Sequence, residues 1–183
     1  MIMTDIEWSV RVERDNIDPQ GIMIERTADE DCCERLAQRF GVLKVEGLQL
    51  TARLSLMGKR GVFAVGQIRG RVQQTCSVSL EPVWTDVVSD FDVEFQPSDI
   101  VAKYVVDEDD FETDIPEALI EGEAEIGECA VQFFALEIPL YPRRPDAVLD
   151  IGSAEAVTVN EEFVEEKAPS PFMALKDLDV NKD

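Results

Sequence analysis

Cationic side chains gather in one part of this chain. Arg53, Lys59, Arg60, Arg69 and Arg71 lie close together in sequence, and guanidinium and ammonium groups at that density suit contact with phosphate oxygens. Within the stretch, Gly58-Lys59-Arg60-Gly61 has the G-x-x-G spacing that clamps a nucleic-acid backbone when it joins two helices. Here it joins two segments of strand-like alternation, so a hairpin turn using glycine's access to positive φ accounts for it more simply. The arginines also have a competing use. Asp86, Asp90, Asp92 and Glu94 alternate along the next segment, and opposite charges across a β-ladder contribute about 0.2–1 kcal/mol per pair.

Other reactive residues point to less. The run DEDDFETD at 107–114 offers oxygen ligands for Mg²⁺ or Ca²⁺, but it lacks the residue order of an EF-hand loop. A solvated charge run, or an attraction for a basic protein, explains it better. The cysteines are Cys32, Cys33, Cys76 and Cys129, with no C-x-x-C spacing. Zinc takes about four N or S ligands, and no clustered set is visible, so reduced thiols are expected and no cofactor or metal. Histidine is absent, which removes Ser-His and Cys-His catalysis from the chain. The enzymatic alternative that survives is carboxylate-held Mg²⁺ acting on RNA.

The chain that positions these groups has 183 residues and a net charge of -22. That length suits one ordinary domain, and the charge repels nucleic acid at long range while favouring basic protein partners. The start MIMTDIEWSV lacks the pattern of a signal peptide. A cytoplasmic location is expected, with no membrane, DNA or small-molecule partner. Residues 1–144 read as a single α+β domain, and 145–183 as an acidic linker with an apolar helical segment.

Thr27 and Glu30 stand at capping-box spacing ahead of a helix that stops before Gly41. From Leu48 the period becomes two. Leu48, Leu50, Ala52, Leu54 and Leu56 share one face, opposite Gln49, Thr51, Arg53 and Ser55. A second strand sets Val62, Ala64, Ile68 and Val72, with Gly66 and Gly70, against Gln67, Arg69, Arg71 and Gln73. A third sets Val83, Val87, Phe91, Val93 and Phe95 against the four acids. The glycines predict a bulge, bend or close backbone approach. Residues 107–128 are dense in carboxylates and have no basic residue, predicting a solvated loop anchored by Ile115, Leu119 and Ile120. Ile126, Cys129, Ala130, Phe133 and Leu136 recur at helical spacing, ended by Pro139 and Pro142. The fold class is α+β: a curved antiparallel meander or partial barrel, two main helices packed on it, and an acidic tail ending in a short helix.

That last helix is read from Ser170 and Pro171 as cap and first residue, followed by Phe172, Met173, Leu175 and Leu178. Its apolar stripe has two destinations, the protein's own sheet or a groove on an assembly partner.

The order RFGVLKVEGLQL, GRVQQTCSVSLEPV, QFFALEIPLYPR and PSPFMALKDL resembles the YceD family, the bacterial large ribosomal RNA subunit accumulation proteins, and among them the alphaproteobacterial type. The resemblance implies a factor for accumulation or processing of 23S ribosomal RNA, with no transferable catalytic residues. It implies a large-subunit ribosomal protein, an rRNA precursor, or both as partners. Many relatives carry C-x-x-C where this chain has Cys76-Ser77-Val78-Ser79, so a metal role is not carried over. A dedicated chaperone for one basic ribosomal protein is the other binding reading.

Overall fold

A computed structural model describes residues 6–104 and 114–147. The chain divides into two units, Met1–Val148 and Leu149–Asp183, and every described residue belongs to the first. The acidic tail with Phe172, Met173, Leu175 and Leu178 lies outside the described residues, as does 107–113 of the acidic run.

Seven strands and three helices follow in order: β1 (Arg11–Glu13), β2 (Ile22–Thr27), α1 (Glu30–Phe40), β3 (Lys44–Met57), β4 (Gly61–Thr75), β5 (Pro82–Pro97), α2 (Ser98–Val101), β6 (Glu117–Leu119), β7 (Glu123–Glu125) and α3 (Ile126–Leu136). The three long strands form the expected antiparallel meander. β2 adds antiparallel beside β3, and β6 adds parallel beside β5, giving the order β2-β3-β4-β5-β6. The sheet is open, so the barrel alternative does not hold. β1 and β7 make a separate antiparallel pair.

Alternation sorts the long strands into two faces, as period two requires. Leu48, Leu50, Ala52, Leu54, Val62, Ala64, Ile68, Val72, Val87, Phe91 and Phe95 are buried. Helices α1 and α3 both pack on that face, α1 against β3 and α3 against β4 and β5. Leu56, by contrast, is at 36% exposure as the hairpin tip leaves the core.

The glycines of β4 work by close approach. A Cβ on Gly66 would lie 2.4 Å from the Thr51 carbonyl oxygen and 2.8 Å from Ala52 Cα. A Cβ on Gly70 would meet Leu48 and the Phe134 ring at 3.1 and 3.3 Å. The bulge itself sits on β3, where pairing skips between Glu46 and Gln49 and Gly47 takes φ 63°, the left-handed position that glycine fills without strain.

Three expectations are corrected. The cap of α1 is Asp29, whose side chain accepts the Cys32 N–H at 2.8 Å. Thr27 is still paired with Gln49 in the sheet, which holds it extended and ahead of the helix. In α3 the buried line runs through Gly127, Val131 and Phe134 as well as Ile126, Cys129 and Ala130, while Leu136 is 80% exposed. The helix is turned because Gly127 packs on the Trp8–Val10 backbone, where a Cβ would come within 2.5 Å of the Trp8 carbonyl. That contact draws the i, i+4, i+7 line inward. Phe133 is left partly buried against Phe91, at 6.0 Å between ring centroids.

The acidic stretch from 114 onward is also not a plain solvated loop. β6 and β7 lie within it, and Glu125 is buried. Its carboxylate accepts from the Ser9 hydroxyl, the Val10 N–H at 2.8 Å and Arg11 Nε at 2.9 Å, which offsets the cost of taking the charge out of water. Of the three apolar anchors only Leu119 is buried; Ile115 and Ile120 stay exposed. A second buttress joins the helices, since Arg39 donates to both oxygens of Glu128 at 2.7 and 2.8 Å and to Glu7 at 2.8 Å.

Candidate nucleic-acid interface

With both helices on one side, the other face of the meander carries the polar half of each strand. Register sets these residues in rows across β3, β4 and β5: Arg53–Val65–Asp92, then Thr51–Gln67–Asp90, then Gln49–Arg69–Val88, then Glu46–Arg71–Asp86. Met23 and Glu25 of β2 extend the first two rows. Neighbouring strands are about 4.8 Å apart, so an arginine- and amide-bearing zone on β3 and β4 lies directly beside an acidic stripe on β5. Met23, Val65 and Val88 are exposed among them, giving the face apolar contact area between its charges.

The expected pairing between arginines and β5 acids occurs once. Arg71 meets Asp86 at 3.1 Å and also stacks 5.1 Å over the Trp84 ring. Arg69 stands opposite Val88 and donates through Nε and Nη2 to Gln49 Oε1 at 3.0 and 2.7 Å. Arg53 donates to the Gln20 carbonyl at 2.7 Å. Asp90 accepts from Gln67 at 2.8 Å, and Glu94 from Gln96 at 2.7 Å. Among the described residues, then, Arg53 and Arg69 keep charges that no carboxylate contacts.

Lys59 and Arg60 do not join that face. They occupy the β3–β4 turn, where Gly58 takes φ 55° and Gly61 begins β4, so G-x-x-G joins strands. Arg60 forms a two-pronged pair with Asp99 at 3.0 and 2.9 Å, holding that carboxyl below the usual range. The five-residue cationic cluster of the sequence is therefore two sites. Arg14, which donates to the Lys59 carbonyl at 2.8 Å, belongs to the second and has no sequence signal there. Gln49 and Gln67 of the first were legible as the polar phase of the alternation.

Cys76 is fully buried at the end of β4, and all four cysteines are free. The Ser79 hydroxyl, which has no other partner among the described residues, lowers the Cys76 thiol most. The Ser79 and Arg144 N–H groups donate to its sulfur at 3.4 Å each, and together these bring it down to about 6 although burial works the other way. Among the described residues no three His, Cys, Asp or Glu side chains stand where they could hold a metal ion, and no helix is long and apolar enough to cross a membrane.

No curated protein and no solved structure matches the chain. A family model does, over residues 64–179, described as large ribosomal RNA subunit accumulation protein YceD. The matched span includes nearly all of β4, all of β5 to α3 and the segment PSPFMALKDL, and it covers more than half of the chain. The chain belongs to the YceD family of large ribosomal RNA subunit accumulation proteins.

Proposed function

We propose that this chain promotes large-subunit rRNA accumulation as a non-enzymatic binding factor that holds an rRNA precursor and a basic large-subunit ribosomal protein side by side. The observation that carries this reading is the two-zone outer face. Arg53 and Arg69, with Gln49, Thr51 and Gln67, supply phosphate and base-edge donors. Asp86, Asp90 and Asp92 on the adjoining strand attract basic side chains. A net charge of -22 makes non-specific capture of RNA unfavourable. Contact with RNA therefore depends on short-range geometry and on a partner that neutralises the acids.

The test is purification of the tagged chain from cells with and without ribonuclease. Large-subunit precursors that co-purify with ribosomal protein, and are lost on ribonuclease treatment, are the expected result. Recovery of one basic protein unaffected by ribonuclease, with no RNA in the untreated sample, would replace the two-partner reading with a chaperone.

A further inference from the structure

The second cationic group lies in a cleft of about 390 Å³ bounded by Arg14, Lys59, Arg60, Ser98, Asp99 and Gly122. Three cations here face the carboxylates of Asp15, paired with Arg14 at 3.3 Å, and Asp99, paired with Arg60. Both arginines spend their terminal nitrogens on protein acceptors: Arg14 on Asp15 and the Lys59 carbonyl, Arg60 on the two oxygens of Asp99. The donors left among the described residues are the Lys59 ammonium, Arg60 Nε and Arg14 Nε. The last is enclosed and has no acceptor, an arrangement that costs free energy unless an acceptor is supplied. On a chain this acidic, a cleft with surplus cationic donors and an unsatisfied guanidinium N–H stands out against its surroundings.

We propose that this cleft binds a phosphate group, with Lys59 as the point charge and the Nε–H groups of Arg14 and Arg60 as directed donors. A tetrahedral oxyanion presents several acceptors to converging donors at once, which a single carboxylate cannot do with the same geometry. The phosphate comes either from an RNA chain or from a free phosphorylated molecule. The site goes beyond the role given to Arg53 and Arg69, since it uses different residues on the turn at the end of the sheet.

Titration of the full chain with inorganic phosphate and with pyrophosphate, followed by amide shifts at Lys59, Ser98 and Gly122, tests it. Chloride at equal ionic strength serves as the control. Saturable shifts are expected, weakened about tenfold by Lys59→Gln, the loss of about 1.4 kcal/mol from one charge-assisted contact. The fold uses only the Lys59 backbone carbonyl, so this variant keeps the structure, and Arg60→Gln gives an independent second reading. Shifts that fail to saturate, or that are the same in both variants, overturn the site. Competition by RNA oligonucleotides assigns the source. Displacement by RNA with or without a 5′-phosphate identifies a backbone phosphate, and displacement only by the 5′-phosphorylated form a terminal one. Phosphate binding that no RNA displaces identifies a free phosphorylated ligand. Each of these leaves the site standing, whatever becomes of the sheet face.

Discussion

The double variant Arg53→Gln, Arg69→Gln removes the two outer-face charges that no described carboxylate contacts. Glutamine keeps a donor of similar reach, so Gln49 and the Gln20 carbonyl can still be addressed and the fold loses little. Both side chains are exposed, and surface changes of this kind stay within about 0.5 kcal/mol in unfolding experiments. The effect on RNA is larger and has a distinct signature. Each phosphate contact contributes about -0.7 to -0.9 to the slope of log K against log salt. Removing two contacts therefore makes the slope less negative by about 1.4 to 1.8. Filter binding or anisotropy with precursor rRNA fragments, at and above about 0.1 M salt where long-range repulsion is screened, measures this directly. An affinity that falls with an unchanged slope would refute the phosphate-contact reasoning, as would an unchanged affinity.

Other substitutions test the packing that holds the face in place. Gly66→Ala sets a methyl group against the β3 backbone at 2.4 Å and should cost about 3 kcal/mol in chemical denaturation. Gly70→Ala meets only side-chain atoms beyond 3 Å and should stay within about 1 kcal/mol. Phe134→Ala, at a fully buried position, should cost about 3–5 kcal/mol, against less than about 0.5 kcal/mol for Leu136→Ala; equal losses would mean that α3 is turned the other way. For Cys76, a thiol lowered to about 6 when folded but near 8.5 when unfolded contributes stability as pH rises between those values. Ser79→Ala should flatten that rise and shift the thiolate absorbance titration upward.

The alternation of β3, β4 and β5 was enough to divide buried from exposed side chains, because a one-residue slip would have moved every apolar group to the wrong face. It could not decide which arginine meets which acid. A two-residue slip preserves the faces and sets Arg69 opposite Asp90 or Asp86 instead of Val88. The connection from Thr75 to Pro82 and the bulge at Gly47 choose between these, and neither registers in the periodicity. β1 and β2 are short and polar on one side, and they form only because β7 and β3 supply partners. Glu125 reads as one more acid in an acidic run until Ser9, Val10 and Arg11 are brought to it from the far end of the sequence. Arg14 likewise reaches the turn cleft through a contact 45 residues away.

The two zones of the outer face also fix an order of events. A chain of net charge -22 repels RNA over a Debye length, about 10 Å at 0.1 M salt and about 30 Å at 0.01 M, whereas contacts at Arg53 and Arg69 act at hydrogen-bond range. On the proposed reading, a basic protein seated on Asp86, Asp90 and Asp92 cancels the repulsion nearest those arginines, so the protein partner binds first and RNA second. Replacing the three aspartates by asparagine mimics the first step without the partner, and it also releases Arg71 from Asp86. The variant should bind precursor rRNA faster than the parent chain, with the gain greatest at low salt, while its capture of basic ribosomal protein falls. An association rate that stays level or drops would mean that the acids do not oppose RNA at this face, and the ordered mechanism would fail with it.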